Sequence, residues 1–186
     1  MAKTGLLLMD LQNGILNRQT SDPDFISRLQ QVTTTARVAA IPIIYVVVKF
    51  REHYPEVSSR NKAFGALKSG AFPLQEGNPA ADISSLLAPE PHDIVVTKRR
   101  VGAFIGSDLE VVLRSQEIDH IILTGIATSG VVLSTLRAAA DMDFVITVLS
   151  DCCYDKDEEV QRVLMEKVFP MQAEVMTAKQ WAQLFS

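Results

Sequence analysis

The sequence predicts an α/β fold: a single doubly wound, six-stranded parallel sheet in the order 3-2-1-4-5-6, with helices on both faces. Three observations carry that expectation. Six short apolar runs alternate with stretches of helical pattern, the arrangement in which crossover helices join parallel strands. The first run, Gly5 to Met9 (GLLLM), contains no polar residue, as suits a strand covered on both faces. No repeat, low-complexity tract or linker divides the 186 residues. Residues 1–186 therefore read as one domain, large enough to bury about 70% of its unfolded surface.

Each element has its own signal. After the first strand, Asp22-Pro23 opens a helix to about Ala39, with Asp at the cap and Pro at the first helical position. Pro42 to Val48 (PIIYVVV) is rich in β-branched residues and forms the second strand. A short helix follows Asn78-Pro79 and stops before Pro89, and Asp93 to Thr97 (DIVVT) is the third strand. Ser107 and Glu110 form a capping box for a helix to about Ser115. Asp119 to Leu123 is the fourth strand, and Thr128 to Met142 the helix behind it. Phe144 to Leu149 is the fifth strand, and Asp155, with Glu158 at the matching position, caps a charged helix. Ala173 to Met176 is the last strand, and Thr177 with Gln180 caps the closing helix.

The stretch from Phe50 to Gly77 has little regular periodicity. Irregular loops of this length serve as lids, binding loops or subunit contacts. Its centre, Phe64 to Phe72, combines glycines with aromatics, which suits a cover over a site or a loop docked on a neighbouring subunit.

Composition excludes several classes. A net charge of −4 with interspersed signs lacks the clustered basic face that nucleic-acid binding needs, and Lys98-Arg99-Arg100 is too short a run to supply one. The apolar stretch after Met1 breaks at Asp10, too soon for a signal peptide core or a membrane span. The two cysteines, Cys152 and Cys153, are adjacent and cannot frame a disulfide scaffold, so a reducing cytoplasm is the expected compartment. Apolar residues make up 47% of the chain, which a homo-oligomer (dimer or tetramer) or a generous core accounts for. The expected partner is a small molecule.

In a doubly wound sheet, ligands sit outside the carboxyl ends of the strands, where the strand order reverses. Asp10 closes the first strand, Lys98 the third, and the turn from Ile126 to Val131 the fourth. Singly, the carboxylate reads as a cap and the lysine as a solvated charge. Together they place a carboxylate, an ammonium and a small-residue helix start at three matching strand ends, where the first N–H groups of a helix face a ligand. Asp10 and Lys98 are therefore expected within salt-bridge distance.

Three segments resemble the motifs of the isochorismatase-like cysteine hydrolases, and the resemblance covers nearly the whole chain. Gly125-Ile126-Ala127-Thr128-Ser129-Gly130, with Val132, is similar to the family's G-[IV]-A-T-x-x-C-V run. Lys98 to Phe104 is similar to its K-x-x-x-[SG]-A-F motif, and LLLMDLQN around Asp10 resembles its first motif. The resemblance implies that Asp10 is the acid/base and that Lys98 holds and polarises it. It places a non-proline cis peptide between Ile126 and Ala127, and an oxyanion hole on the N–H groups of Ala127 and Val131. The family's nucleophilic cysteine falls at Val131, which has no thiol. Backbone donors do not depend on side-chain identity, so the anion-binding half of the site survives that change.

Nothing nearby replaces the thiol. Thr128 and Ser129 lie two or three residues early and suit capping, while Ser134, one turn into the helix, suits packing. Cys152 and Cys153 point to opposite faces at the end of the fifth strand and read as inert. Some amidase relatives carry a D-x-H metal motif after the second strand, but here Arg51 stands two residues before His53. His92 and His120 precede strands, at the wrong end of the sheet. No metal and no cofactor are expected.

Two functions remain open. In the first, the chain is a hydrolase using Asp10, Lys98 and water as nucleophile. The isochorismatase branch sets a precedent, since it carries Gly at the cysteine position and cleaves a vinyl ether by protonation from an Asp. Val131 is bulkier than that Gly, and Ser129 replaces that branch's His, so isochorismate is not the expected substrate. In the second, the chain is a non-catalytic member that binds a small molecule or serves as an interaction scaffold.

Overall fold

The structure is a computed structural model and describes residues 3–20, 22–65, 67 and 73–185. Six strands form one parallel sheet in the order β3-β2-β1-β4-β5-β6, as the sequence predicts. They are β1 (Lys3–Met9), β2 (Ile43–Val48), β3 (Ile94–Lys98), β4 (Ile118–Ile126), β5 (Val145–Tyr154) and β6 (Glu174–Met176). The helices are α1 (Asn13–Gln19), α2 (Phe25–Val38), α3 (Lys62–Gly65), α4 (Leu109–Ser115), α5 (Leu133–Asp141), α6 (Glu158–Val163) and α7 (Ala178–Ala182). Among the described residues, no helix is long and apolar enough to cross a membrane.

The apolar strands fill two cores because successive side chains point to opposite faces. Leu6 and Leu8 of β1 join Phe25, Leu29 and Val32 of α2 and Trp181 of α7 on one face. Leu7 and Met9 join Leu109 and Leu113 of α4, and Leu136 and Ala139 of α5, on the other. Double winding follows directly from an apolar run with no polar face to turn outward.

Several element ends differ from the sequence reading. Helix α1 is not predicted, since NGILNRQ is short and holds Gly and Asn; burial of Ile15 and Leu16 stabilises it. Helix α2 starts at Phe25 because Asp22 turns back, its Oδ1 accepting the Asp24 N–H at 2.9 Å. The helix expected after Asn78 is two 3₁₀ turns, Pro79–Ala81 and Ser85–Leu87, with Asn78 capping the first through the Ala80 N–H. Glu110 does not complete a box with Ser107, and α4 begins at Leu109. Asp157, not Asp155, caps α6, accepting the N–H groups of Glu159 and Val160 at 3.0 Å each.

Strands β4 and β5 both run further than predicted. Their pairing shifts register between Leu123 and Gly125 and then resumes, with Gly125 beside Cys153 and Ile126 beside Tyr154. Cys152 and Cys153 therefore lie inside β5, facing opposite cores. The Thr177–Gln180 capping box forms as expected. In the long loop, α3 is the helix among the described residues, and Phe50 pairs with Gln75 to close its base. Residues 66 and 68–72 of its expected centre lie outside the described residues.

Candidate active site

Asp10 follows β1 in a left-handed backbone conformation, φ +58°, which is uncommon for a residue with a side chain. Its N–H bonds to the Val46 carbonyl at 2.8 Å, so the turn stays tied to β2. Its Oδ2 accepts a hydrogen bond from Lys98 Nζ at 2.8 Å, and the same ammonium donates to the Val101 carbonyl at 2.6 Å. Asp10 is 6% exposed and Lys98 1%, so the pair sits out of bulk water. Burial pushes the Asp10 carboxyl above the usual carboxylate range, against the pull of the Lys98 charge and hydrogen bond. Asp10 Oδ1 is buried with no hydrogen-bond partner among the described residues. One oxygen is held by the lysine, and the other is left to accept a proton or, protonated, to give one.

Beside this pair lies the turn after β4. Met9 and Gly125 are register partners, which brings Asp10 next to Ile126. Gly125 has φ +135°, and the Ile126–Ala127 peptide bond is cis. Thr128 to Val132 form a π turn, in which the Val132 N–H reaches back to the Ala127 carbonyl at 3.3 Å. Such turns recur at functional sites because they break the regular i→i−4 ladder. Asp155, beyond β5, accepts the Ser129 N–H at 2.7 Å on Oδ2. Thr128 is fully buried, and its hydroxyl has no partner among the described residues. The Val131 side chain is aliphatic, 1% exposed and packed in the core under α4 and α5.

The structure thus gathers Asp10, Lys98 and the 126–131 turn at one edge of the sheet, and leaves other candidates elsewhere. His120 lies near the opposite end of β4, between Thr4 and Thr147 at 3.2 and 2.9 Å. His53 faces Glu52 at the surface. Burial pushes the Cys152 thiol up to about 12 and Cys153 well above its ordinary value, so neither supplies a thiolate near neutral pH.

Sequence reasoning missed the parts that three residues play in shaping this edge. Gln12 is fully buried and bonds to Val48 and Ala81. Asp155 caps the π turn rather than α6. Arg99 ties the base of the long loop to the end of β3, bonding the Lys49 carbonyl and the Glu76 carboxylate and approaching Glu56 at 3.5 Å. A polar residue two positions past a strand-end aspartate was the available signal for Gln12.

Comparison with known proteins adds a lineage to this geometry. The isochorismatase domain family matches residues 4–180. The isochorismatase family protein YwoC of Bacillus subtilis strain 168 is 31% identical over 97% of this chain and 93% of its own length. The ureidoacrylate amidohydrolase RutB of Methylobacterium radiotolerans is 29% identical over 85% of this chain and 69% of its own. The crystal structure of a cysteine hydrolase from Pseudomonas syringae pv. phaseolicola 1448A superposes with a TM-score of 0.90 at 22% identity, covering 97% of this chain and 91% of that one.

Proposed function

The chain belongs to the isochorismatase-like hydrolase family, and we propose that it hydrolyses a small molecule with Asp10 as acid/base, Lys98 as its electrostatic partner and water as nucleophile. The observation that supports this most is the divided carboxylate. Asp10 Oδ2 is held by Lys98, while Oδ1 is buried and unpartnered. A buried polar atom left without a partner is costly, by about 1–3 kcal/mol, and at a strand edge a substrate is a fitting partner.

For an amide, the class that RutB's name indicates for that relative, the steps balance as follows. Asp10 takes a proton from water as the water oxygen bonds to the carbonyl carbon. The oxyanion rests on the N–H groups of Ala127 and Val131, beside the cis Ile126–Ala127 peptide. Protonated Asp10 then returns the proton to the leaving nitrogen as the carbon–nitrogen bond breaks. Val131 stands where the family resemblance places a cysteine, and this sequence of steps needs no thiol. A vinyl ether would use the same groups in the other order, with Asp10 protonating first and water adding to the cation.

Screening small amides, ureides and vinyl ethers against the wild type and Asp10→Asn tests the reading. Turnover by the wild type that falls by about 10²–10⁴ in Asp10→Asn supports it, the range general acid–base catalysis contributes. Turnover indifferent to Asp10 overturns its role as acid/base, and no turnover across the panel turns the reading toward a non-catalytic binding protein.

A further inference from the structure

Gln12 makes three hydrogen bonds across the end of the sheet. Its Nε2 donates to the carbonyls of Val48, at 3.0 Å, and Ala81, at 2.7 Å, while its Oε1 accepts the Val48 N–H at 2.8 Å. Both donors of the carboxamide are used, and the residue is fully buried. Val48 is the last residue of β2, and its register partner on β3 is Lys98. One side chain therefore joins the segment that follows Asp10 to the strand residue directly beside Lys98.

That link matters because the sheet keeps the two charged residues apart. In the order β3-β2-β1, Asp10 and Lys98 sit on either side of β2, two strand spacings of about 4.8 Å each. Their side chains meet at 2.8 Å only by converging over the end of β2. The left-handed turn at Asp10 aims its carboxylate that way, and the chain beyond is held down at three points. The Ser84 N–H bonds to the Leu11 carbonyl at 3.1 Å, the Asn13 N–H to the Asp82 carbonyl at 3.0 Å, and Gln12 bonds to β2 itself. A glutamine suits this position because it offers two donors to two carbonyls and an acceptor to an N–H. Glutamate would set a carboxylate against both carbonyl oxygens, and asparagine is a methylene short.

We propose that Gln12 is the positioning residue that sets the separation of Asp10 from Lys98, by fastening the chain after Asp10 to Val48. This role presupposes the Asp10–Lys98 site proposed above. It predicts that the two residues stop sensing each other when the carboxamide is lost, even in a folded protein.

The test is a titration cycle followed by carbon-13 NMR of labelled aspartates, with Asp10→Asn identifying the signal. Lys98 is the charged neighbour that acts on Asp10, so Lys98→Met should raise the Asp10 midpoint in the wild-type background by at least about one pH unit, tenfold in acidity. In a Gln12→Met background, which keeps the volume and removes the hydrogen bonds, the same replacement should change acidity by less than about threefold. A Gln12→Met protein that melts lower but keeps the full tenfold response overturns the proposal, since Gln12 would then serve stability alone. Should Gln12→Met fail to fold, exchange of the Gln12 carboxamide protons in the wild type decides. Strong protection supports the clamp, and exchange at the rate of an exposed side-chain amide overturns it. Because titration is read and not turnover, an inactive protein leaves this test intact.

Discussion

Gly125 lies so close to Met9 that a Cβ placed on it would fall 2.2 Å from the Met9 carbonyl oxygen. No side chain fits there, and the φ of +135° would strain any residue with one. The contact lets β1 and β4 close up beside Asp10. Gly125→Ala is expected to lose at least about 3 kcal/mol, at the upper end of overpacking effects, because both the backbone and the space are wrong. Urea unfolding measures it; a loss below about 1 kcal/mol would mean that the strands separate freely at this point.

The Asp155–Ser129 hydrogen bond ties the end of β5 to the π turn. Asp155→Ala should destabilise by about 1 kcal/mol, as loss of a capping acceptor does, and Asp155→Asn by a few tenths, since its side-chain oxygen still accepts. Thermal unfolding of the two variants separates the cases. Equal losses would show that the charge, rather than the hydrogen bond, holds the turn.

Asp10 gives stability a definite pH dependence. Burial raises its carboxyl above the ordinary value of 3.8 in the folded state, so folding favours the protonated form. The stability it contributes is full below the ordinary value and is lost as pH rises through the folded-state value. Asp10→Asn has no such group. Its stability relative to the wild type should therefore grow as pH rises above about 4, whatever the offset at the acid end. Urea midpoints at stepped pH values check this, and a difference that is flat or shrinks with pH contradicts the assigned direction.

The strands were legible because runs such as GLLLM can be buried on two faces and nowhere else. Asp10, Lys98 and the 126–131 turn were legible through motif order and their places at strand ends. Gln12 was not, because its partners Val48 and Ala81 lie 36 and 69 residues away, and a glutamine after a strand reads as a surface residue. Asp155 and Asp157 both suit a helix cap by spacing. The choice between them is made by Ser129, which takes Asp155 from 26 residues away. Helix α1 escaped notice because its stability lies in the burial of Ile15 and Leu16 rather than in helix-forming residues.

The account stands most directly on which group the reaction needs. The decisive measurement is the hydrolysis rate of a turned-over substrate by wild type before and after exhaustive iodoacetamide treatment, with Asp10→Asn alongside. Cys152 and Cys153 are buried and protonated, so the wild-type rate should be unchanged by alkylation. Replacing Asp10 should lower it by at least about a hundredfold. A rate abolished by alkylation, or one that survives Asp10→Asn, would contradict hydrolysis by Asp10 and water.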